Sequence, residues 1–485
     1  MRASSGLGTS STPAPRSYEA LASSGVSWSS EGWPARAMRS TTLAILAVSG
    51  GEKGAGGFVV MSWEANERCA ECDSVEGFLR GQAACLLVDS MVRHRTCLPA
   101  REPLPHPMAL IQYLTQIQFE FGAVKLLSSE CARIGINRPL IVTDAGVRAA
   151  GILQKAIDAI ADLEVTIFDQ TPSNPTEAAV RAAVELYRSG RCDGLIAVGG
   201  GSAIDCAKGV AIAATHEGPL KTYATIEGGS PKITERVVPL IAVPTTSGTG
   251  SEVARGAIVI VDDHRKLGFH SWFLMPKAAI CDPELTLGLP PRLTAATGMD
   301  AIAHCMETFM SAAFNPPADG IGLDGLERAW GHIERATRDG SDREARLNLM
   351  SASMQGAMAF QKGLGCVHSL SHSLGGVDPR LHHGTLNALF LPAVIHFNAG
   401  AESVQKEQRL QRMAQAMHLD SAGDLGDAIR DMNARLGLPK GLADVGVTPA
   451  LFEQIIDGAM ADHCHKTNPR LATRDDYRAM LEASM

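Results

Sequence analysis

Asp300 and His304 stand four residues apart in Gly298-Met-Asp-Ala-Ile-Ala-His-Cys-Met-Glu307. A helix through this stretch puts the carboxylate and the imidazole on one face. That face is otherwise apolar, with Ala301, Ile302, Ala303 and Met306 nearby, so the two polar groups need a partner. Gly365-Cys-Val-His368-Ser-Leu-Ser-His372 repeats the spacing with two histidines, and Arg380-Leu-His382-His383-Gly384 adds two more. Five of the 15 histidines lie in these three stretches. One Asp with three His suits a divalent ion of borderline softness, Zn²⁺ or Fe²⁺. A lone buried His is more often a hydrogen-bonded core residue, but three such patterns together are hard to explain by packing.

Two other segments have the composition of ligand loops. Asp193-Gly-Leu-Ile-Ala-Val-Gly199-Gly200-Gly201-Ser202-Ala-Ile-Asp205-Cys-Ala-Lys208 reads as a strand, a triple-glycine turn and a helix start. Glycines let the backbone approach a ligand, and the helix N-terminus favours a diphosphate. Ser202 is positioned as N-cap, with Asp205 as an acidic first-turn residue. The run is neither GxGxxG nor a P-loop, and a tight β–α turn would need the same small residues. A second apolar strand then enters Pro244-Thr245-Thr246-Ser247-Gly248-Thr249-Gly250-Ser251-Glu252, a run of short donors suited to ribose, nicotinamide or phosphate. Asp144, at the end of an earlier strand, is placed to accept from an adenosine ribose and to repel the extra phosphate of NADP; a helix N-cap is the alternative.

The elements that must position these residues alternate at first. Arg138–Asp144, Glu164–Phe168 and Gly194–Val198 read as strands, and Val147–Asp162 and Glu177–Ser189 as helices, which means βαβ units around a mainly parallel sheet. Beyond Leu287–Pro291 helical spacing takes over: Ala295–Ala312, Glu344–Ala359, Leu386–Asn398 and Leu425–Leu436. The expected architecture is an α/β dinucleotide-binding domain over 108–289, followed by an all-α metal-binding and catalytic domain over 290–485.

Residues 1–107 differ. They open Ser/Gly/Ala/Pro-rich, lack either structural period, and carry ten basic and ten acidic residues, so the rest of the chain holds the net charge of −8. Three readings compete: an organellar transit peptide, a small metal module around Cys69 and Cys72, or a disordered or mis-started extension with Met108 the functional beginning. The third is preferred. Across all 485 residues, 44 basic against 52 acidic give no drive toward nucleic acid or anionic membrane. No apolar run approaches the roughly 20 residues of a membrane span. The 11 scattered cysteines fit a reducing, cytoplasmic setting.

From Met108 onward the chain resembles the iron-containing (group III) alcohol dehydrogenase family of the dehydroquinate-synthase-like superfamily. The likeness is carried by GGGSAIDCAK, PTTSGTGSEV, the run from Ala279 through Asp282, Pro290 and Thr297 to Glu307, Asn174-Pro-Thr176 and Thr467-Asn-Pro-Arg470. The resemblance implies metal ligation by Asp300, His304, His368 and the histidine preceding Gly384. One residue more than the commonest family spacing leaves His382 and His383 both open, with His383 favoured because it directly precedes glycine. His372 would be the non-ligand histidine near the nicotinamide, the candidate for passing a proton or for supporting a ligand. Gly200, Gly201, Ser202 and Asp205 would touch the diphosphate. Thr245, Thr246, Thr249 and Ser251 would line the nicotinamide half, and Lys266 would reach the ribose. The implied activity is reversible hydride transfer between an alcohol and its aldehyde or ketone, with NAD preferred to NADP, in a homo-oligomer. Arg255, Arg380 and Lys362 lie near the motifs and could pair with the carboxylate of an ω-hydroxy acid such as 4-hydroxybutyrate. The competing reading is an NAD- and metal-using lyase of the dehydroquinate synthase type, which would accumulate no NADH.

Overall fold

The computed structural model describes residues 115–485 and, before them, the strand segments Leu43–Leu46 and Val59–Ser62. By contacts the chain divides into two compact units, Met1–Pro103 and Leu104–Met485. In the first unit, β1 (Leu43–Leu46) and β2 (Val59–Ser62) pair antiparallel. The remaining expectations for residues 1–107, including the Cys69/Cys72 half-site, lie outside the described residues.

The second unit opens with β3 (Gln116–Phe119), α1 (Leu127–Ile134), β4 (Pro139–Val142), α2 (Ala145–Ala149), α3 (Ile152–Asp158) and β5 (Thr166–Phe168). It continues through α4 (Glu177–Ser189), β6 (Gly194–Gly199), α5 (Gly201–Ala213), β7 (Leu240–Pro244), a hairpin of β8 (Gly256–Ile260) and β9 (Lys266–His270), and β10 (Ala278–Cys281). Six strands form one parallel sheet in the order β3-β10-β7-β6-β4-β5. Every residue of β4, β6, β7 and β10 is buried, as a sheet covered on both faces requires, which is why these strands read as unbroken apolar runs. From β4 the chain steps to β5 on one side and returns to β6 on the other, so the order reverses between β4 and β6. The crevice at the carboxyl ends of two such strands is where open α/β sheets bind ligands. The turn after β6 and Asp144 after β4 both stand there.

The last described strand ends at Cys281, and the long helices start at Pro291, where two prolines open the first turn. They are α6 (Pro291–Met310), α7 (Pro316–Arg338), α8 (Arg343–Ala359), α9 (Cys366–Val377), α10 (His383–Asn398), α11 (Glu402–Lys406), α12 (Arg409–Ala416), α13 (Leu425–Arg435), α14 (Phe452–Ala461) and α15 (Arg474–Ala483). From Thr294 to its end α6 is buried, with α7, α8 and α10 packed on it, and one large apolar cluster runs through this half. The fold is therefore a parallel α/β sheet followed by helices. No helix among the described residues is long and apolar enough to cross a membrane.

Several local expectations need correction. The helix expected over Val147–Asp162 is broken into α2 and α3 because Gly151 takes the left-handed conformation, φ 73°. Ser202 is not an N-cap: Gly200 occupies that position, and Ser202 lies inside α5, its hydroxyl donating to the Ser173 carbonyl. The β8–β9 hairpin and α7 were not read from the sequence at all, the former because its glycines and charges mask the strand period.

Candidate active site

Asp300, His304 and Glu307 lie at i, i+4 and i+7 on the buried helix α6, so one face carries all three. His368 and His372 come from α9, and His383 from the first turn of α10. The Nε2 atoms of His304, His368 and His383 stand 3.9, 3.9 and 3.7 Å from the same oxygen, Asp300 Oδ1. Ligand atoms of Asp300, His304 and His368 all fall within 4.8 Å of one another. These separations are too long for hydrogen bonds. They approach the roughly 3.4 Å edge of a tetrahedral site with ligand bonds of about 2.0–2.1 Å. Between the two histidines left open by the sequence, His383 reaches the cluster while His382 is exposed. Gly384, directly after His383, has to be bare: a Cβ on it would lie 2.2 Å from the Ala296 carbonyl oxygen of α6, so a side chain would push α10 off α6.

What surrounds the imidazoles sets their tautomers. His304 Nδ1 donates to the Gly248 carbonyl at 3.2 Å, and His368 Nδ1 donates to Glu307 Oε2 at 2.6 Å. The carbonyl only accepts, as does the carboxylate when ionised, so each Nδ1 then carries the proton and each Nε2 presents a lone pair to the cluster. Glu307 also accepts from the backbone N–H of Val367 at 2.8 Å and of His368 at 3.3 Å, at the positive end of α9. Burial nevertheless pushes its carboxyl up to about 7 against those hydrogen bonds. Asn387, one turn after His383, donates to Asp300 Oδ1 at 2.7 Å. The site also holds buried atoms without partners: His383 Nδ1 and Asn387 Oδ1. Three imidazole Nε2 atoms, two of them with the proton held on Nδ1, converge with a carboxylate around the Asn387 amide, which stands 3.2 Å from Nε2 of both His368 and His383; this donor set fits a divalent cation.

His372 stands beside this cluster, its ring stacked 5.3 Å from that of His383. Its Nδ1 donates to Asp462 Oδ2 at 3.1 Å. Burial lowers the His372 pKa, and Asp462 works against that. Asp462 in turn faces His463, whose Nδ1 is 3.6 Å away; burial disfavours the charged imidazole, but the carboxylate outweighs it and raises His463.

The glycine turn builds the other side. Gly200 caps α5 with no side-chain hydrogen bond, leaving its first N–H groups to a ligand. Gly201 has to be bare, since a Cβ would meet the Thr249 side chain at 2.6 Å. Gly201, Ser202, Asp205, Thr249, Ser251 and Lys266 line a cavity of about 530 Å³ that also receives His304, His368, His372 and His383. Gly200, Thr245 and Thr246 belong to the turn behind that lining: Thr246 packs on Gly200, and the Thr245 N–H donates to the Gly199 carbonyl at 3.0 Å. Asp205 is committed internally, accepting from Ser251 Oγ at 2.6 Å and the Ile258 N–H at 2.9 Å. Asp144 is the N-cap of α2, accepting from the Val147 N–H at 2.9 Å, with its second oxygen directed at the Gly199 turn. Lys266 Nζ donates to Asn174 Oδ1 at 2.8 Å, and burial pushes its ammonium down to about 8. Behind them all, buried Lys208 donates to Ser251 O and Oγ, Ala254 O and Gly256 O, tying α5 to the second loop.

Sequence reasoning assigned no role to Asn387, Asp462 or His463, and none to Glu307 beyond its place in a signature. Glu307 had a usable signal, the i+7 spacing from Asp300. Asp462 had none, because it reaches His372 from 90 residues away.

The chain matches the family models for iron-containing alcohol dehydrogenase over residues 115–283 and for the Fe-containing alcohol dehydrogenase C-terminal region over 294–485. It is 69% identical over 382 residues to a 4-hydroxybutyrate dehydrogenase of Cupriavidus necator, across 78% of this chain and 100% of that protein. A crystal structure of a 1,3-propanediol oxidoreductase superposes with a TM-score of 0.72 at 33% identity, covering 78% of this chain and 100% of the other. A sulfoacetaldehyde reductase from Bifidobacterium kashiwanohense, in complex with NAD⁺, does so with a TM-score of 0.69 at 27% identity, over 78% and 99%. Sheet, helices and cluster together with these matches place the chain in the iron-containing alcohol dehydrogenase family, as a metal-dependent, NAD(P)-linked oxidoreductase acting on an alcohol or its aldehyde.

Proposed function

We propose that this enzyme oxidises an ω-hydroxy acid, 4-hydroxybutyrate, to its semialdehyde and runs the reverse reaction, using NAD and a divalent ion, Fe²⁺ or Zn²⁺. The carrying observation is that the Asp300 cluster and the Gly201–Ser202 turn open into one cavity, so hydride donor and acceptor can meet. The substrate is supported by the 69% identity to a 4-hydroxybutyrate dehydrogenase over the whole of that protein. NAD rather than NADP is supported by Asp144 at the switch point, where a carboxylate repels a ribose phosphate. In this reading 108–289 carries the dinucleotide and 290–485 the ion and the chemistry. Gly200, Gly201 and Ser202 hold the diphosphate, Thr245, Thr246, Thr249 and Ser251 frame the nicotinamide half, and Lys266 reaches the ribose. Asp205 acts from behind, by fixing Ser251.

Asp300, His304, His368 and His383 would hold the ion. Bound there, it would supply Lewis-acid polarisation of the substrate oxygen, as the nicotinamide supplies the hydride-accepting ring. Glu307 and the Gly248 carbonyl keep the Nδ1 protons of His368 and His304, which holds both rings in ligating orientation. His372 takes the hydroxyl proton at Nε2, directly or through water, while Asp462 holds its Nδ1–H and stabilises the imidazolium. The buried walls exclude bulk water. No observation favours the lyase alternative. A homo-oligomer in the cytoplasm completes the proposal; the free cysteines among the described residues agree with a reducing compartment.

The test is a panel of 4-hydroxybutyrate, 1,3-propanediol and simple alcohols with NAD and NADP, with iron and zinc measured before and after chelation. Net NADH, highest kcat/KM for 4-hydroxybutyrate and loss of turnover on chelation are expected. Absence of net NADH with every member overturns the proposal.

A further inference from the structure

Three cationic side chains besides histidine line the cavity: Arg255, Lys266 and Lys362. Two have polar partners in the protein. Lys266 donates to Asn174, and Lys362 is buried in an ion pair with Asp319. Arg380, the remaining cation near the motifs, pairs with Asp378 at the surface with 89% of its side chain exposed. Arg255 differs. Half-buried, it lies over the Trp272 ring with 4.6 Å from guanidinium carbon to ring centroid. Among the described residues its guanidinium meets no carboxylate and no hydrogen-bond acceptor. A guanidinium drawn partly out of water is costly to leave unpaired. The aromatic stack holds one face of its plane and leaves its in-plane N–H donors for a planar bidentate anion.

The surroundings of Arg255 are shaped to the same end. Gly256, the next residue, would bring a Cβ within 2.9 Å of the His270 ring. Gly268 on the paired strand would bring one within 3.0 Å of His270 and 3.1 Å of His463. Both glycines therefore make room for two imidazoles on the cavity wall, whose rings lie 4.7 Å apart. His463 stacks 5.7 Å from His372, and His372 5.3 Å from His383. The wall thus runs from Arg255 through His270 and His463 to the proton acceptor and the ion cluster.

We propose that Arg255 binds the substrate carboxylate, and that the wall it forms with His270 and His463 selects ω-hydroxy acids over uncharged alcohols. This subsite rests on the reading of the cavity as the dehydrogenase active site. In the full-length, ion-loaded enzyme, R255M is compared with wild type by the ratio of kcat/KM for 4-hydroxybutyrate to that for 1,4-butanediol, equal in length but lacking the charge. The dissociation constant of unreactive butyrate in the presence of NAD is measured by calorimetry. The ratio falls about ten- to hundred-fold, mainly through KM, and butyrate weakens by a similar factor. Should R255M fail to fold, R255Q, which keeps a planar head without charge, carries the same comparison. A folded variant with wild-type ratio and butyrate affinity overturns the subsite and leaves the proposed function standing. Arginine-dependent butyrate binding without 4-hydroxybutyrate oxidation overturns the proposed substrate and supports the subsite.

Discussion

Replacing Glu307 by Gln tests whether the proposed ion site depends on a residue outside its four proposed ligands. Three donors converge on this carboxylate: His368 Nδ1 at 2.6 Å and the N–H groups of Val367 and His368 at 2.8 and 3.3 Å. The amide keeps the shape but removes the charge, and it turns one accepting oxygen into an NH₂ group facing a donor. If that group faces His368, the ring loses what holds its proton on Nδ1 and its lone pair on Nε2. One charge-assisted hydrogen bond is worth about 2 kcal/mol, which corresponds to about thirty-fold in ion affinity. Loss of such an outer partner typically costs about 10–100-fold, in agreement. Competition against a calibrated chelator would measure the affinity, and atomic spectroscopy the ion retained after dialysis. E307Q should release the ion at chelator concentrations that leave wild type loaded, while the structure of the sheet half is unchanged. An E307Q enzyme that folds and holds its ion as tightly as wild type would refute the reasoning, because the tautomer would then be set by the ion alone.

Other expected outcomes follow from neighbouring contacts. D462N takes the charge from beside His372, and kcat should fall at least about ten-fold with ion content unchanged; an unchanged kcat and pH profile would remove His372–Asp462 from proton transfer. G201A must displace Thr249, so KM for NAD should rise about ten-fold or more while ion affinity stays constant, and a KM equal to wild type would mean the turn is not the diphosphate cradle. K208M leaves four acceptors around Ser251, Ala254 and Gly256 without their buried donor, at a cost of about 3–5 kcal/mol in urea unfolding; a loss below about 1 kcal/mol would show the loop is held by other means. Burial raises buried Glu252 from 4.5 to about 7, so the folded chain keeps a proton that the unfolded chain has lost. The stability this confers is complete below pH 4.5 and disappears as pH rises through 7, on the order of 3 kcal/mol. E252Q should unfold with a flatter pH dependence across that window, and parallel profiles would count against it.

Short-range patterns were legible in the residues alone. Fully apolar runs such as Leu240–Pro244 declare a doubly covered strand, and Asp300/His304 or His368/His372 declare a shared helix face, because both periods are local properties of the backbone. The resemblance to the family rested on the same kind of contiguous signature, and it named all four members of the cluster. Two local readings failed for local reasons: Gly151 broke a helix that periodicity extended, and Gly200 took the cap position in place of Ser202. What only the tertiary structure decided involves separate segments meeting. Gly384 against Ala296 lets α10 deliver His383 rather than His382, Glu307 reaches His368 across 61 residues, and Asp462 reaches His372 across 90. Arg255 was one of three comparable cations in the sequence; folding gave Lys362 and Arg380 their aspartates and left the guanidinium stacked on Trp272. Spacing along a chain specifies which side chains share a face, but whether a charge is satisfied depends on what the other elements bring to it.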